Sequence, residues 1–84
     1  MKYLYFSAPW CTPCKQLAPK MELVAEKITV EKILVDTNVE IAQKYGIRSI
    51  PTVILIDEND VELERFVGVN PVEFYLEKYT KHVN

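Results

Sequence analysis

Cysteine is scarce in this sequence, since Cys11 and Cys14 are the only two among 84 residues. Secreted disulfide scaffolds use several bridges that close long loops, so one pair three residues apart argues against that class. Histidine is scarcer still, with His82 alone near the C-terminus, where we expect it to be a solvated tail residue. A zinc site needs four ligands, which this chain does not offer, so we expect no bound metal.

An excess of charge and a long hydrophobic run are also lacking. Ten Lys and Arg residues against twelve Asp and Glu residues give a net charge of −2. The chain therefore has no excess of positive charge with which to bind nucleic acid or an anionic membrane. No apolar run approaches the roughly 20 residues that span a bilayer, and the apolar segment after Lys2 is too short for a signal peptide. We expect a soluble protein of a reducing compartment, the cytoplasm, without nucleic-acid or membrane partners.

The length of the chain predicts a single domain over residues 1–84. Such a chain has room for one modest hydrophobic core but not for a separate flavin or nicotinamide domain. We therefore expect no bound cofactor.

Hydrophobic spacing predicts seven elements in the order βαβαββα. They cover residues 3–6, 14–28, 30–35, 39–45, 52–56 and 61–67, followed by a helix from residue 72. The polar residues 57–60 predict an antiparallel hairpin between the last two strands. The fold class is α/β, a four-stranded mixed sheet flanked by three helices that cover both faces.

Local signals predict where two of the helices change direction or end. Pro19 interrupts the first helix and is expected to kink it. Thr37 and Glu40 have the spacing of a capping box at the start of the second helix. Gly46 is expected to end that helix in a left-handed conformation.

The segment from Trp10 to Lys15 places two thiols three residues apart, after an apolar strand and at the start of a helical pattern. Cysteines at this spacing can close a small ring across one helical turn. A thiolate at a helix N-terminus is favoured by the macrodipole and by unpaired backbone N–H groups. The pattern predicts reversible dithiol and disulfide chemistry, with Cys11 as the attacking thiol.

Four parts of the sequence resemble the thioredoxin family, in the same order and at similar spacings: residues 10–15, Pro19, residues 45–52 and residues 67–69. The resemblance covers nearly the whole chain, apart from an additional N-terminal strand and helix of the family. The chain is therefore similar to the small, glutaredoxin-sized members of microbial and phage type, which have a minimal thioredoxin fold.

The resemblance implies an enzyme that reduces protein disulfides. Cys11 would be the nucleophile and Cys14 the resolving thiol, and a thioredoxin reductase-type donor would reduce the resulting disulfide of a monomeric protein. Pro51 matches the cis-proline of the family, although a trans proline that opens a strand is the alternative. The family's docking surface corresponds to Trp10, Ile50, Pro51, Gly68 and Val69, while Ser49 replaces a glycine common in the family.

Further residues are implicated around the thiols. Tyr5 stands where typical members bury an aspartate behind the second cysteine, so it is either a core residue or a hydroxyl that bonds near Cys14. Lys32 matches the lysine that partners this aspartate, or is a solvated residue at a strand end.

Lys15 either stabilises the Cys11 thiolate or has a simple surface role. Thr12 and Pro13 add no charge between the cysteines, which favours a reducing rather than an oxidising protein.

Two alternative functions remain. A glutaredoxin-like reductase linked to glutathione would fit the short length, but Val69-Asn70-Pro71 lacks the second glycine and the aspartate with which glutaredoxins bind glutathione. A non-catalytic binding subunit with this fold would not require both thiols.

Overall fold

The computed structural model describes residues 1–83 and contains four strands and three helices. Their order confirms the predicted βαβαββα arrangement. The elements are β1 (Lys2–Ser7), α1 (Thr12–Ala25), β2 (Val30–Leu34), α2 (Val39–Lys44), β3 (Thr52–Ile56), β4 (Glu62–Val67) and α3 (Val72–Val83). Within these described residues, no helix is both long enough and apolar enough to cross a membrane.

The four strands form one mixed sheet in the order β2-β1-β3-β4. β1 runs parallel to β2, with Ser7 opposite Leu34, and antiparallel to β3, with Phe6 opposite Thr52. β3 and β4 form the predicted antiparallel hairpin, in which Thr52 lies opposite Val67. Because of this topology, the ends of β1, β2 and β4 and the start of β3 all meet at one edge of the sheet.

Alternate residues of β1 pack into separate cores on the two faces of the sheet, as the period of a strand requires. Tyr3 and Tyr5 face α1 and α3, whereas Leu4 and Phe6 face the side on which Tyr45 and the chain after α2 pack. The larger core contains Tyr3, Tyr5, Leu17, Met21, Val24, Ile28, Val53, Leu55, Phe66 and Tyr75. The smaller one contains Leu4, Phe6, Ile33, Ile54 and Ile56. Both faces of the sheet are thus covered.

The start of α2 differs from the sequence prediction. The N-cap residue is Asn38, and no side chain caps the helix, so the capping box predicted for Thr37 and Glu40 is wrong. The side chains of Thr37 and Asn38 instead donate hydrogen bonds to the carbonyl oxygen of Leu34, at 3.4 and 2.9 Å. These bonds hold the turn that follows β2. Gly46 does end the helical segment in a left-handed conformation, with φ of +62°, as predicted.

Candidate active site

Cys11 is the N-cap residue of α1, with an extended backbone (φ −89°, ψ 110°). Its Sγ accepts a hydrogen bond of 3.2 Å from the backbone N–H of Cys14. Pro13 lies in the first turn, where a missing N–H costs nothing. The sulfur of Cys11 therefore lies at the positive end of the helix, where the macrodipole and an N–H donor both favour a thiolate.

Cys11 and Cys14 are joined by a disulfide, and their Cα atoms are 5.2 Å apart. This distance lies within the ordinary range for a disulfide, so the bridge fits the first turn of α1. Both side chains are shielded, with Cys11 7% and Cys14 2% exposed. The Cys11 side chain is thus largely shielded from solvent in the oxidised protein.

The loop before β3 passes directly beside Cys11. The Ile50–Pro51 peptide bond is cis, as the resemblance implied, and Cys11 Sγ lies 3.7 Å from the carbonyl oxygen of Ile50. In the disulfide this sulfur carries no proton, so the approach is a contact rather than a hydrogen bond. Among residues 1–83, neither the N–H nor the carbonyl of Ile50 bonds to another backbone group. The backbone next to the disulfide is therefore open to pairing.

Gly68 connects the end of β4 to this loop. Its N–H donates a hydrogen bond of 2.9 Å to the carbonyl oxygen of Pro51, and its φ of +94° is one that glycine adopts readily. The half-buried side chain of Val69 packs against the larger core. Gly68 thus borders the site, while Val69 anchors the segment that follows it.

Two small apolar residues at the site escaped the sequence analysis. Ala8 is buried in one cluster with Cys11 and Cys14, and Val35 and Ile50 pack against it. Ala8 follows β1 and Val35 follows β2. The predicted strand topology could have identified them, because the carboxyl ends of parallel neighbouring strands meet at one edge of a sheet.

The predicted site residues with exposed side chains are Trp10, Thr12, Pro13, Lys15 and Lys32. The Trp10 side chain is 66% exposed although it directly precedes Cys11, and Thr12 and Pro13 are exposed at the start of α1. A large aromatic residue left in solvent beside a reactive group is typical of a binding surface.

Behind Cys14 lies a partly open cavity of about 280 Å³. Tyr5 lines it and is 2% exposed, and the Tyr5 hydroxyl donates a hydrogen bond of 2.9 Å to the carbonyl oxygen of Cys14. Lys15 and Lys32 also line this cavity, so the structure brings both predicted lysines to the same side of Cys14. The remaining lining residues are Ser7, Ala8, Pro9, Ala18 and Leu34.

Comparison with known proteins agrees with this geometry. The family model for thioredoxin matches residues 2–81. The chain is 43% identical over 82 residues to thioredoxin of Bacillus subtilis, covering 93% of this chain and 78% of that protein. It is 39% identical over 82 residues to thioredoxin of Chlorobaculum thiosulfatiphilum, covering 93% of this chain and 75% of the relative.

A solved structure supports the same assignment. The X-ray structure of Fasciola hepatica thioredoxin superposes with a TM-score of 0.84 at 36% sequence identity. The match covers 95% of this chain and 78% of that one. Because the family model, the relatives and the fold agree, this chain belongs to the thioredoxin family and is a protein-disulfide oxidoreductase with Cys11 and Cys14 as its redox pair.

Proposed function

We propose that the protein reduces disulfides of other proteins in two exchange steps, with Cys11 as the attacking thiol and Cys14 as the resolving thiol. The observation that carries this proposal is the position of Cys11 Sγ. It lies at the N-terminus of α1, accepts the N–H of Cys14 and contacts the open backbone of Ile50. These features favour a thiolate at Cys11 and put a substrate strand within its reach.

The chemistry begins from the reduced dithiol. The Cys11 thiolate attacks one sulfur of the substrate disulfide, and the other substrate sulfur leaves as a thiolate that takes a proton from water. A mixed disulfide now joins Cys11 to the substrate. Cys14 then attacks Cys11 Sγ and displaces the second substrate sulfur. Two electrons have passed to the substrate, and the protein is left with the Cys11–Cys14 disulfide that the structure contains.

The environment of Cys14 suits the second step rather than the first. Its side chain is only 2% exposed, and its backbone carbonyl is fixed by the hydroxyl of the buried Tyr5. Little of the Cys14 side chain is therefore within reach of an incoming disulfide. This burial supports an attack by Cys14 on its neighbour Cys11 instead.

The proposed docking surface surrounds Cys11. It consists of Trp10, Ile50, Pro51, Gly68 and Val69. The backbone N–H and carbonyl of Ile50 would pair with an extended substrate segment, in the manner of an added strand. The exposed indole of Trp10 would cover apolar side chains next to the substrate disulfide.

Membership of the thioredoxin family implies disulfide-containing protein substrates and a reductase-type electron donor. Within that class, the proposed donor is a thioredoxin reductase rather than glutathione. The sequence after Gly68 supports this choice, because Val69-Asn70-Pro71 lacks the residues with which glutaredoxins bind glutathione. The proposal also includes a monomeric protein in the cytoplasm, where a reductase keeps the dithiol reduced.

A coupled turnover assay tests the proposed function. Insulin serves as the disulfide substrate, and NADPH oxidation is followed with a bacterial thioredoxin reductase in one arm and with glutathione plus glutathione reductase in the other. The wild type should turn over in the first arm, and Cys11→Ser and Cys14→Ser should both be inactive there. Turnover only in the glutathione arm would contradict the proposed donor.

A further inference from the structure

The resolving step requires that Cys14 lose a proton, and a partly open cavity of about 280 Å³ lies behind Cys14. A cavity needs room for one solvent-sized sphere and two to four polar partners to hold water. The residues that line this cavity include Tyr5, Ser7, Lys15 and Lys32, and the cavity is partly open to solvent. Water can therefore enter it.

The charge around Cys14 is cationic. Tyr5 and Ser7 on β1, Lys15 on α1 and Lys32 on β2 are the polar residues that line the cavity, and none of the lining residues is an acid. Cys14 also packs in an apolar cluster with Ala8 and Cys11, against which Val35 and Ile50 lie. Among the described residues, no carboxylate lies in either set, so none is placed to take the proton of Cys14 directly.

Lys32 is available to act on Cys14. The four ion pairs found within residues 1–83 involve other side chains, so no carboxylate neutralises the Lys32 ammonium at ion-pair distance. One acid, Glu22, lines a separate hollow of about 170 Å³ together with Tyr5 and Lys32. An unpaired cation favours a nearby thiolate.

We propose that cavity water accepts the proton of Cys14 during resolution, that Lys32 stabilises the resulting thiolate, and that Tyr5 is a positioning residue for Cys14. This inference rests on the proposed order of attack by the two cysteines. In the step, the Cys14 S–H bond breaks and the proton passes to water. The Cys14 sulfur then forms a bond with Cys11 Sγ, and the bond between Cys11 and the substrate sulfur breaks to release a thiolate. No further oxidant or reductant takes part.

The two steps can be timed separately with an aromatic disulfide that releases a coloured thiolate. Reduced protein is mixed with the reagent in a stopped-flow instrument. The first equivalent of coloured thiolate reports attack by Cys11, and the second equivalent reports resolution by Cys14. Cys14→Ser should release the first equivalent only, which tests the proposed function independently of the cavity.

The variant Lys32→Met tests the cavity itself. At a pH where little Cys14 is ionised, the second phase should slow about threefold to tenfold, because the thiolate loses a neighbouring cation that solvent partly screens. The pH curve of the second phase should move to higher pH and meet the wild-type plateau there, while Lys32→Arg should keep the wild-type curve. Lys27→Met is the matched control, because Lys27 is equally exposed but lines neither cavity, and it should leave both phases unchanged.

Three results would overturn the inference. The first is a second phase whose pH curve is the same in Lys32→Met as in the wild type. The second is a second phase that slows in Glu22→Gln, since a carboxylate would then accept the proton. A change of the first phase alone in Lys32→Met would equally place the lysine at Cys11 rather than at Cys14.

Discussion

The hydroxyl of Tyr5 donates a hydrogen bond of 2.9 Å to the carbonyl oxygen of Cys14, which ties strand β1 to the first turn of α1. Tyr3, two residues earlier on the same face of β1, makes the corresponding bond of 2.6 Å to the carbonyl oxygen of Tyr75 in α3. The two tyrosines are both buried, but only Tyr5 touches the redox pair. Comparing variants of the two tyrosines therefore separates an effect on protein stability from an effect on the redox pair.

Tyr5→Phe and Tyr3→Phe should each lower the free energy of unfolding by about 1 kcal/mol, since each removes one buried hydrogen bond and keeps the ring. Urea unfolding of the oxidised proteins measures this loss. In the reduced proteins, Cys14 of Tyr5→Phe should react faster with iodoacetamide because its helical turn is less firmly held. Equal alkylation of Cys14 in the two variants would show that Tyr5 has only a structural role.

Trp10→Ala should raise KM for a protein disulfide and leave stability within about 0.5 kcal/mol of the wild type, because the side chain is 66% exposed. Leu23→Ala is the control, since Leu23 is 53% exposed near the other end of α1. Insulin reduction at several substrate concentrations measures both variants. If Leu23→Ala raised KM as much as Trp10→Ala, the effect would not be specific to the site.

Glu62→Gln should make stability less dependent on pH in the acid range. Arg65 donates two hydrogen bonds to the Glu62 carboxylate, at 2.7 and 2.6 Å, and these lower the pKa of Glu62 from 4.5. A lowered pKa in the folded state contributes stability that is present above the unfolded value and is lost as the pH falls through the folded value. The pair is half-exposed, so its loss should cost about 0.5 kcal/mol near neutral pH.

Urea unfolding of Glu62→Gln and wild type at about pH 7 and about pH 3 provides the measurement. The difference between the two proteins should be smaller at the lower pH, because it is lost as the pH falls through the lowered folded-state pKa of Glu62. Glu26→Gln is the control, because Glu26 belongs to none of the ion pairs within residues 1–83. A difference for Glu62→Gln that persists undiminished at the lower pH would mean that the pair stabilises the protein by packing.

The element order was readable from the sequence because local signals and hydrophobic periodicity agreed. The helix start at Cys11 and the stop at Gly46 rest on backbone geometry that neighbouring residues dictate. The capping box predicted for Thr37 and Glu40 does not form, because the Thr37 side chain bonds to a different backbone group. The side chains of Thr37 and Asn38 bond to Leu34, whose carbonyl at the end of β2 is brought close by the turn.

The thiol pair was predictable from six consecutive residues, and the resemblance also pointed to Ile50 and Pro51. Ala8 and Val35 were missed, because they reach the disulfide from two different connections and only the sheet order brings them together. For Tyr5 the sequence left open a core position and a hydroxyl that bonds near Cys14. The structure shows both, since Tyr5 is buried and its hydroxyl donates to the carbonyl oxygen of Cys14. The cavity beside Tyr5 was not predictable, because it depends on how α1 packs on β1.

The division of labour between the two thiols is tested most directly by trapping the mixed disulfide. Reduced Cys14→Ser and Cys11→Ser are each mixed with a disulfide-containing protein, and the adducts are identified by intact mass and peptide mapping. Cys14→Ser should accumulate substrate bound to Cys11, because the resolving thiol is missing, and Cys11→Ser should accumulate none. Substrate bound to Cys14 in Cys11→Ser at a comparable yield would contradict the assignment of Cys11 as the nucleophile.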